Sequence, residues 1–114
     1  VAKALPQAQH ELWFEFVDAN GPGHCSPDLV LALPGRIVVL ECKLTETPWA
    51  RLQLRELYFP VLELVYGLPV QGIVVCRALA RDTDTSRVVD SLDVALGVCQ
   101  GFIPTVQWLG RGRL

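Results

Sequence analysis

Two short apolar runs, Leu29 to Leu33 and Ile37 to Leu40, flank Pro34-Gly35. The runs read as strands and Pro34-Gly35 as the turn between them. A hairpin of this kind constrains everything around it. Asp28 opens the first run, and Glu41-Cys42-Lys43 closes the second. Folding the hairpin brings Asp28 near Glu41. The strand period of two puts Glu41 and Lys43 on one face and Cys42 on the other, where a small buried thiol fits.

Ionisable groups at the end of an apolar strand are costly to bury unless they are paired or bind a metal. Asp28, Glu41 and a backbone carbonyl, that of Cys42, can hold Mg²⁺ or Mn²⁺, which prefer oxygen ligands. Such an ion polarises a phosphate and lowers the pKa of a bound water. Lys43 then orients that water or offsets the developing negative charge. An E-x-K triplet alone is common and usually marks solvated charges. A plain Glu41/Lys43 pair at the strand mouth is therefore the competing reading. The buried character of the strand and the Pro27-Asp28 in front of it favour the metal.

Pro27-Asp28, twelve intervening residues and Glu41-Cys42-Lys43 resemble the PD-(D/E)XK nuclease superfamily, over roughly residues 12 to 79. The spacing is most similar to compact archaeal-type Holliday junction resolvases and small phage nucleases. The resemblance implies an α/β fold with a restriction-endonuclease-like αβββαβ core. Its central mixed sheet is flanked by helices, with the first helix short or missing here. It also implies Asp28 and Glu41 as metal ligands, Lys43 as the catalytic lysine and products with 5′-phosphate and 3′-hydroxyl ends. Gln53 with Tyr58 resembles the Q-x₃-Y motif of some members, at a spacing one residue longer, and makes Gln53 a fourth catalytic candidate. Members often carry a further glutamate on the first helix; Glu11 and Glu15 are the candidates for it here, against a reading of both as surface carboxylates.

At 114 residues, 51% of them hydrophobic, the whole chain (1–114) reads as one domain with a core of its own. No apolar stretch is long enough to span a membrane, and no secretory leader is read at Val1. The cysteines at 25, 42, 76 and 99 show no C-x-x-C spacing and read as reduced thiols of a cytoplasmic protein. His24-Cys25 supplies two soft ligands, too few for a site. The net charge of −2 argues against a strongly basic nucleic-acid coat. Eight of the ten basic residues are arginines, suited to phosphate. Arg51 and Arg55, one helical turn apart, and Arg111 and Arg113 in the tail are the candidate DNA contacts, with a solvated helix face as the alternative for the first two.

Along the chain, residues 5 to 19 read either as a helix, with Pro6 in its first turn and Gly21 ending it, or as a strand through Trp13-Phe14-Glu15-Phe16-Val17. The order of elements that the resemblance implies favours a short helical or irregular start at 3 to 9 and a strand near 12 to 18. Asn20-Gly21-Pro22-Gly23 reads as a loop. Thr47-Pro48 starts a helix over 48 to 66, which Pro60 must kink or divide and Gly67 ends. Val70 to Leu79 reads as a strand. Ser86 or Asp90 is expected to cap a helix reaching about Gln100, followed by an edge strand over Phe102 to Leu109 and a loose tail. The expected function is a metal-dependent DNA endonuclease, selective for branched structure. Such an enzyme would work as a homodimer, with the apolar surplus and the Trp108 strand as its contact. An exonuclease or nicking nuclease is the runner-up, and a catalytically silent nuclease fold used as a binding subunit is the alternative of a different class.

Overall fold

The expected hairpin forms the middle of the molecule. The computed structural model describes residues 9–10, 12–81, 83–97 and 102–109. Strands β4 (Leu29–Leu33) and β5 (Arg36–Thr45) pair antiparallel, from Leu33↔Arg36 at the turn to Leu29↔Leu40. Gly35 takes φ 76° in the turn, a left-handed value that glycine adopts freely, behind a proline suited to the preceding position. β5 is buried on both faces from Ile37 to Leu40.

The remaining strands are β1 (Gln9–His10), β2 (Phe14–Asp18), β3 (Gly21–Cys25), β6 (Val70–Ala78), β7 (Val88–Val89) and β8 (Thr105–Gln107). Six strands form a mixed sheet in the order β1-β4-β5-β6-β8-β7. β5, β6, β8 and β7 run parallel, and β1 and β4 pair antiparallel. β2 and β3 form a separate two-stranded hairpin. The strand expected over 12 to 18 therefore exists, but outside the central sheet. Gly21-Pro22-Gly23, expected as loop, is the start of β3; pairing with β2 overrides the local preference of glycine and proline for turns.

Between β5 and β6 the chain crosses as one long helical run: α1 (Pro48–Gln53), a π turn (Leu54–Tyr58) and α2 (Phe59–Tyr66). Thr47 is the N-cap with extended backbone, Pro48 follows it, and Gly67 ends the run at φ 66°. The expected break at Pro60 takes the form of the π turn. Pro60 has no N–H, and its ring crowds the carbonyl four residues back. The turn ahead of it widens, and Phe59 N–H donates to the Leu54 carbonyl instead.

The helical run covers one face of the sheet, where Ala50, Leu54, Tyr58, Val61 and Leu62 pack on Val30, Ile37, Val39 and Val74. The β2–β3 hairpin lies against the same cluster through Cys25, Phe14 and Phe16. α3 (Leu92–Gly97) covers the opposite face through Ala95, Leu92 and Leu96. Ser91 caps it, its hydroxyl accepting from Val94 N–H at 3.2 Å. Neither expected cap serves it: Ser86 is bonded to Asp84, which caps the preceding 3₁₀ turn, and Asp90 lies one residue too early. β8 is not an edge strand. It lies between β6 and β7, and Trp108 beside it has a buried indole nitrogen, so this strand is not a free dimer edge. The start of the chain, the end of the expected helix at Gln100 and the tail beyond Leu109 lie outside the described residues.

Candidate metal centre

The β4–β5 register, continued one step past Leu29↔Leu40, sets Asp28 opposite Glu41. Their main chains and side chains lace together. Asp28 N–H donates to Glu41 Oε1 at 3.3 Å, and Cys42 N–H donates to Asp28 Oδ2 at 2.8 Å. One oxygen of each carboxylate is thereby held by backbone, leaving Asp28 Oδ1 and Glu41 Oε2. Lys43 Nζ lies 3.5 Å from Glu41 Oε2. As the alternation requires, Cys42 points its side chain to the opposite face, among Leu29, Leu40 and Val75. Burial and the Asp28 charge push its thiol up to about 12, so it is a neutral packing group at ordinary pH.

Burial divides the roles. Asp28 is exposed, whereas Glu41 is 2% exposed. Removal from water pushes the Glu41 carboxyl up to about 7, and the neighbouring Asp28 charge pushes in the same direction. The Asp28 amide and Lys43 pull it back only in part. Two facing carboxylates, one buried and short of positive charge, are the donor set a hard divalent cation satisfies. Mg²⁺ keeps several waters and is bound through one or two carboxylates, so two side-chain oxygens are a sufficient protein share of its shell.

Further side chains close the site from the helix side. Tyr58 is buried, and its hydroxyl donates to the Ser26 carbonyl at 3.5 Å. Burial and the Glu41 charge beside it hold the phenol well above its ordinary range, fully protonated. Cys25 is buried nearby, and burial together with the Glu41 charge raises its thiol. The π turn bears on the Gln53–Tyr58 spacing: its hydrogen bonds skip five residues, so Tyr58 stands one turn on from Gln53. Among the described residues Gln53 itself makes no hydrogen bond to the carboxylate pair.

The other candidates separate from this centre. Glu15 does not supply a third carboxylate. It lies on the exposed face of β2 opposite His24, because the alternation that buries Phe14 and Phe16 turns it outward. Among the described residues no group of three or more His, Cys, Asp or Glu side chains is placed to hold a metal ion. Arg51 is not free for phosphate. Its guanidinium is paired with the buried Glu46 carboxylate, with Thr105 Oγ1 and with the Ile103 carbonyl, the last at 3.2 Å. Arg55, one turn on, is exposed. Glu11, Arg111 and Arg113 lie outside the described residues.

Sequence reasoning missed Glu46. It follows the strand directly, in front of Thr47-Pro48, with no local signal of burial, and its partner is Arg51, five residues on. No family model matches the chain, and no curated protein or solved structure does.

Proposed function

We propose that this protein is a metal-dependent nuclease of the PD-(D/E)XK type that hydrolyses DNA phosphodiester bonds. The observation that carries the reading is the interlocked Asp28/Glu41 pair with Lys43 3.5 Å away on the same face. Asp28 Oδ1 and Glu41 Oε2, with the Cys42 carbonyl, would hold Mg²⁺ or Mn²⁺. When bound there, such an ion supplies Lewis acidity at a phosphate oxygen and acidifies a water. The backbone N–H groups of Asp28 and Cys42 orient the two carboxylates. Lys43, with its side chain 38% exposed, can reach a phosphate and offset the charge that develops on it. Tyr58 and Cys25, both buried, lie within reach of the Glu41 charge.

Branched DNA in a cytoplasmic setting, cut by a homodimer, is the substrate and state this reading favours, since paired nicks need two sites. A binding subunit on a silent nuclease fold is the second reading. The net charge of −2 and the lack of a third carboxylate among the described residues favour it.

Cleavage of supercoiled plasmid and of a four-way junction in Mg²⁺, Mn²⁺ or EDTA tests the proposal. Activity should need the cation and vanish in Asp28→Ala together with Mn²⁺ binding by calorimetry. Lys43→Ala should bind Mn²⁺ normally and lose about 10²–10³ in rate. Cleavage by Asp28→Ala at the wild-type rate would overturn the site. A folded wild type that cuts no DNA in Mn²⁺ would leave the binding subunit.

A further inference from the structure

The β2–β3 hairpin carries an outer face that the carboxylate site does not use. Alternation puts Phe14, Phe16 and Cys25 inward and leaves Trp13, Glu15, Val17, Pro22 and His24 outward. Trp13 and His24 stack, ring centroids 4.3 Å apart and planes at 15°. Trp13 is nevertheless 59% exposed, so the stack is open to a further ring. Both border a shallow cleft of about 430 Å³ together with the outward Glu15, Val17 and Pro22. The hairpin's inner side is rigidly seated. The Phe16 ring occupies the space where a Cβ at Gly23 would lie, 2.7 Å away, and Ser26 Oγ donates to the Leu12 carbonyl at 2.6 Å.

We infer that this face is a stacking platform for an unpaired nucleobase of the strand being cut. The inference rests on the nuclease reading and names its substrate as single-stranded or locally unpaired DNA. Three features select a base over other ligands. Flat aromatic stacking accepts any π-face and is the usual hold on single strands. The Glu15 carboxylate repels phosphate but accepts a hydrogen bond from an exocyclic amine, such as cytosine N4. The cleft is also close to the carboxylates: His24 precedes Asp28 by four residues, a reach of at most about 14 Å. A strand whose phosphate lies at Asp28 and Glu41 would bring a base a few nucleotides away to Trp13.

The test is fluorescence anisotropy of a labelled single-stranded oligo(dC) 15-mer and of a 15-base-pair duplex, in EDTA so that nothing is cut. Trp13→Ala should weaken single-strand binding about 5- to 150-fold, with Trp13→Phe between it and wild type, and duplex binding unchanged. Trp49→Ala, which removes an indole 74% exposed on α1, should bind like wild type. Oligo(dC) should bind more tightly than oligo(dT), and Glu15→Gln should narrow that gap. Free dCMP should not displace the oligonucleotide at comparable concentration. Equal single-strand binding by Trp13→Ala and wild type would overturn the platform, as would equal losses on duplex and single strand or displacement by dCMP. Equal affinity for dC and dT would remove Glu15 from recognition. DNA cleavage with unaltered Trp13→Ala binding sinks this inference alone. Trp13-dependent binding without cleavage in Mn²⁺ sinks the nuclease reading alone.

Discussion

Glu41 ties the site to pH. An ordinary glutamate titrates near 4.5, whereas burial and Asp28 push this one up to about 7. Between those values the folded, metal-free protein holds a proton that the unfolded chain has released. The stabilisation from protonated Glu41 is therefore complete below about pH 4.5 and lost as pH rises through about 7. The loss is on the order of 3 kcal/mol. In urea with EDTA, the unfolding midpoint should fall between pH 5 and pH 8, and Glu41→Gln should flatten that fall. Adding Mg²⁺ at pH 8 should restore the wild-type midpoint and leave Glu41→Gln largely unmoved, because only the carboxylate gains from the cation. Matching pH profiles for wild type and Glu41→Gln would show that the carboxyl titrates normally.

At the scale of elements, two packing points hold the helical run on the sheet. Arg51 in α1 spends its guanidinium on Glu46, Thr105 and the Ile103 carbonyl, locking α1 to β8 and the end of β5. Breaking such a buried pair from one side leaves an uncompensated charge. Arg51→Ala should cost about 3–5 kcal/mol, and Arg51→Lys should recover only part, since an ammonium cannot reproduce the planar fork. Thermal unfolding measures both; a cost below 1 kcal/mol would mean that the pair is solvated. Gly72 in β6 is the second point. A Cβ there would lie 2.8 Å from the Phe59 ring, at the junction of the π turn and α2. Gly72→Ala should cost about 1–3 kcal/mol by overpacking, and Phe59→Leu in the same chain should recover part of it. Additive losses in the double variant would place the strain elsewhere.

For the whole molecule, charge is the governing quantity. A net charge of −2 gives no long-range attraction for DNA, so affinity must come from local cations. With Arg51 committed inside the fold, Arg55 is the exposed arginine of α1 and the π turn. Arg55→Ala should lower the salt slope of duplex binding by about one unit without altering sequence preference. An unchanged slope would take Arg55 off the DNA path. No helix among the described residues is long and apolar enough to cross a membrane.

The local order of residues determined the hairpin and the carboxylate pair. The period of two, the Pro34-Gly35 turn and the burial of Ile37 to Leu40 fix which face Glu41 and Lys43 occupy, whatever else the chain does. The helix over 48 to 66 was legible for the same reason, since Thr47-Pro48 and Gly67 act through near neighbours. Only tertiary structure decided the fate of groups whose partners lie far along the chain. Arg51 reads as a surface arginine until β8, more than fifty residues on, supplies Thr105. Glu15 stays open between third ligand and surface carboxylate until β3 pairs with β2 and turns it outward. Gly21-Pro22-Gly23 reads as a loop until the same pairing makes it a strand. Alternation and capping are local and survive in the sequence; pairing between distant segments depends on which surfaces the finished fold brings together.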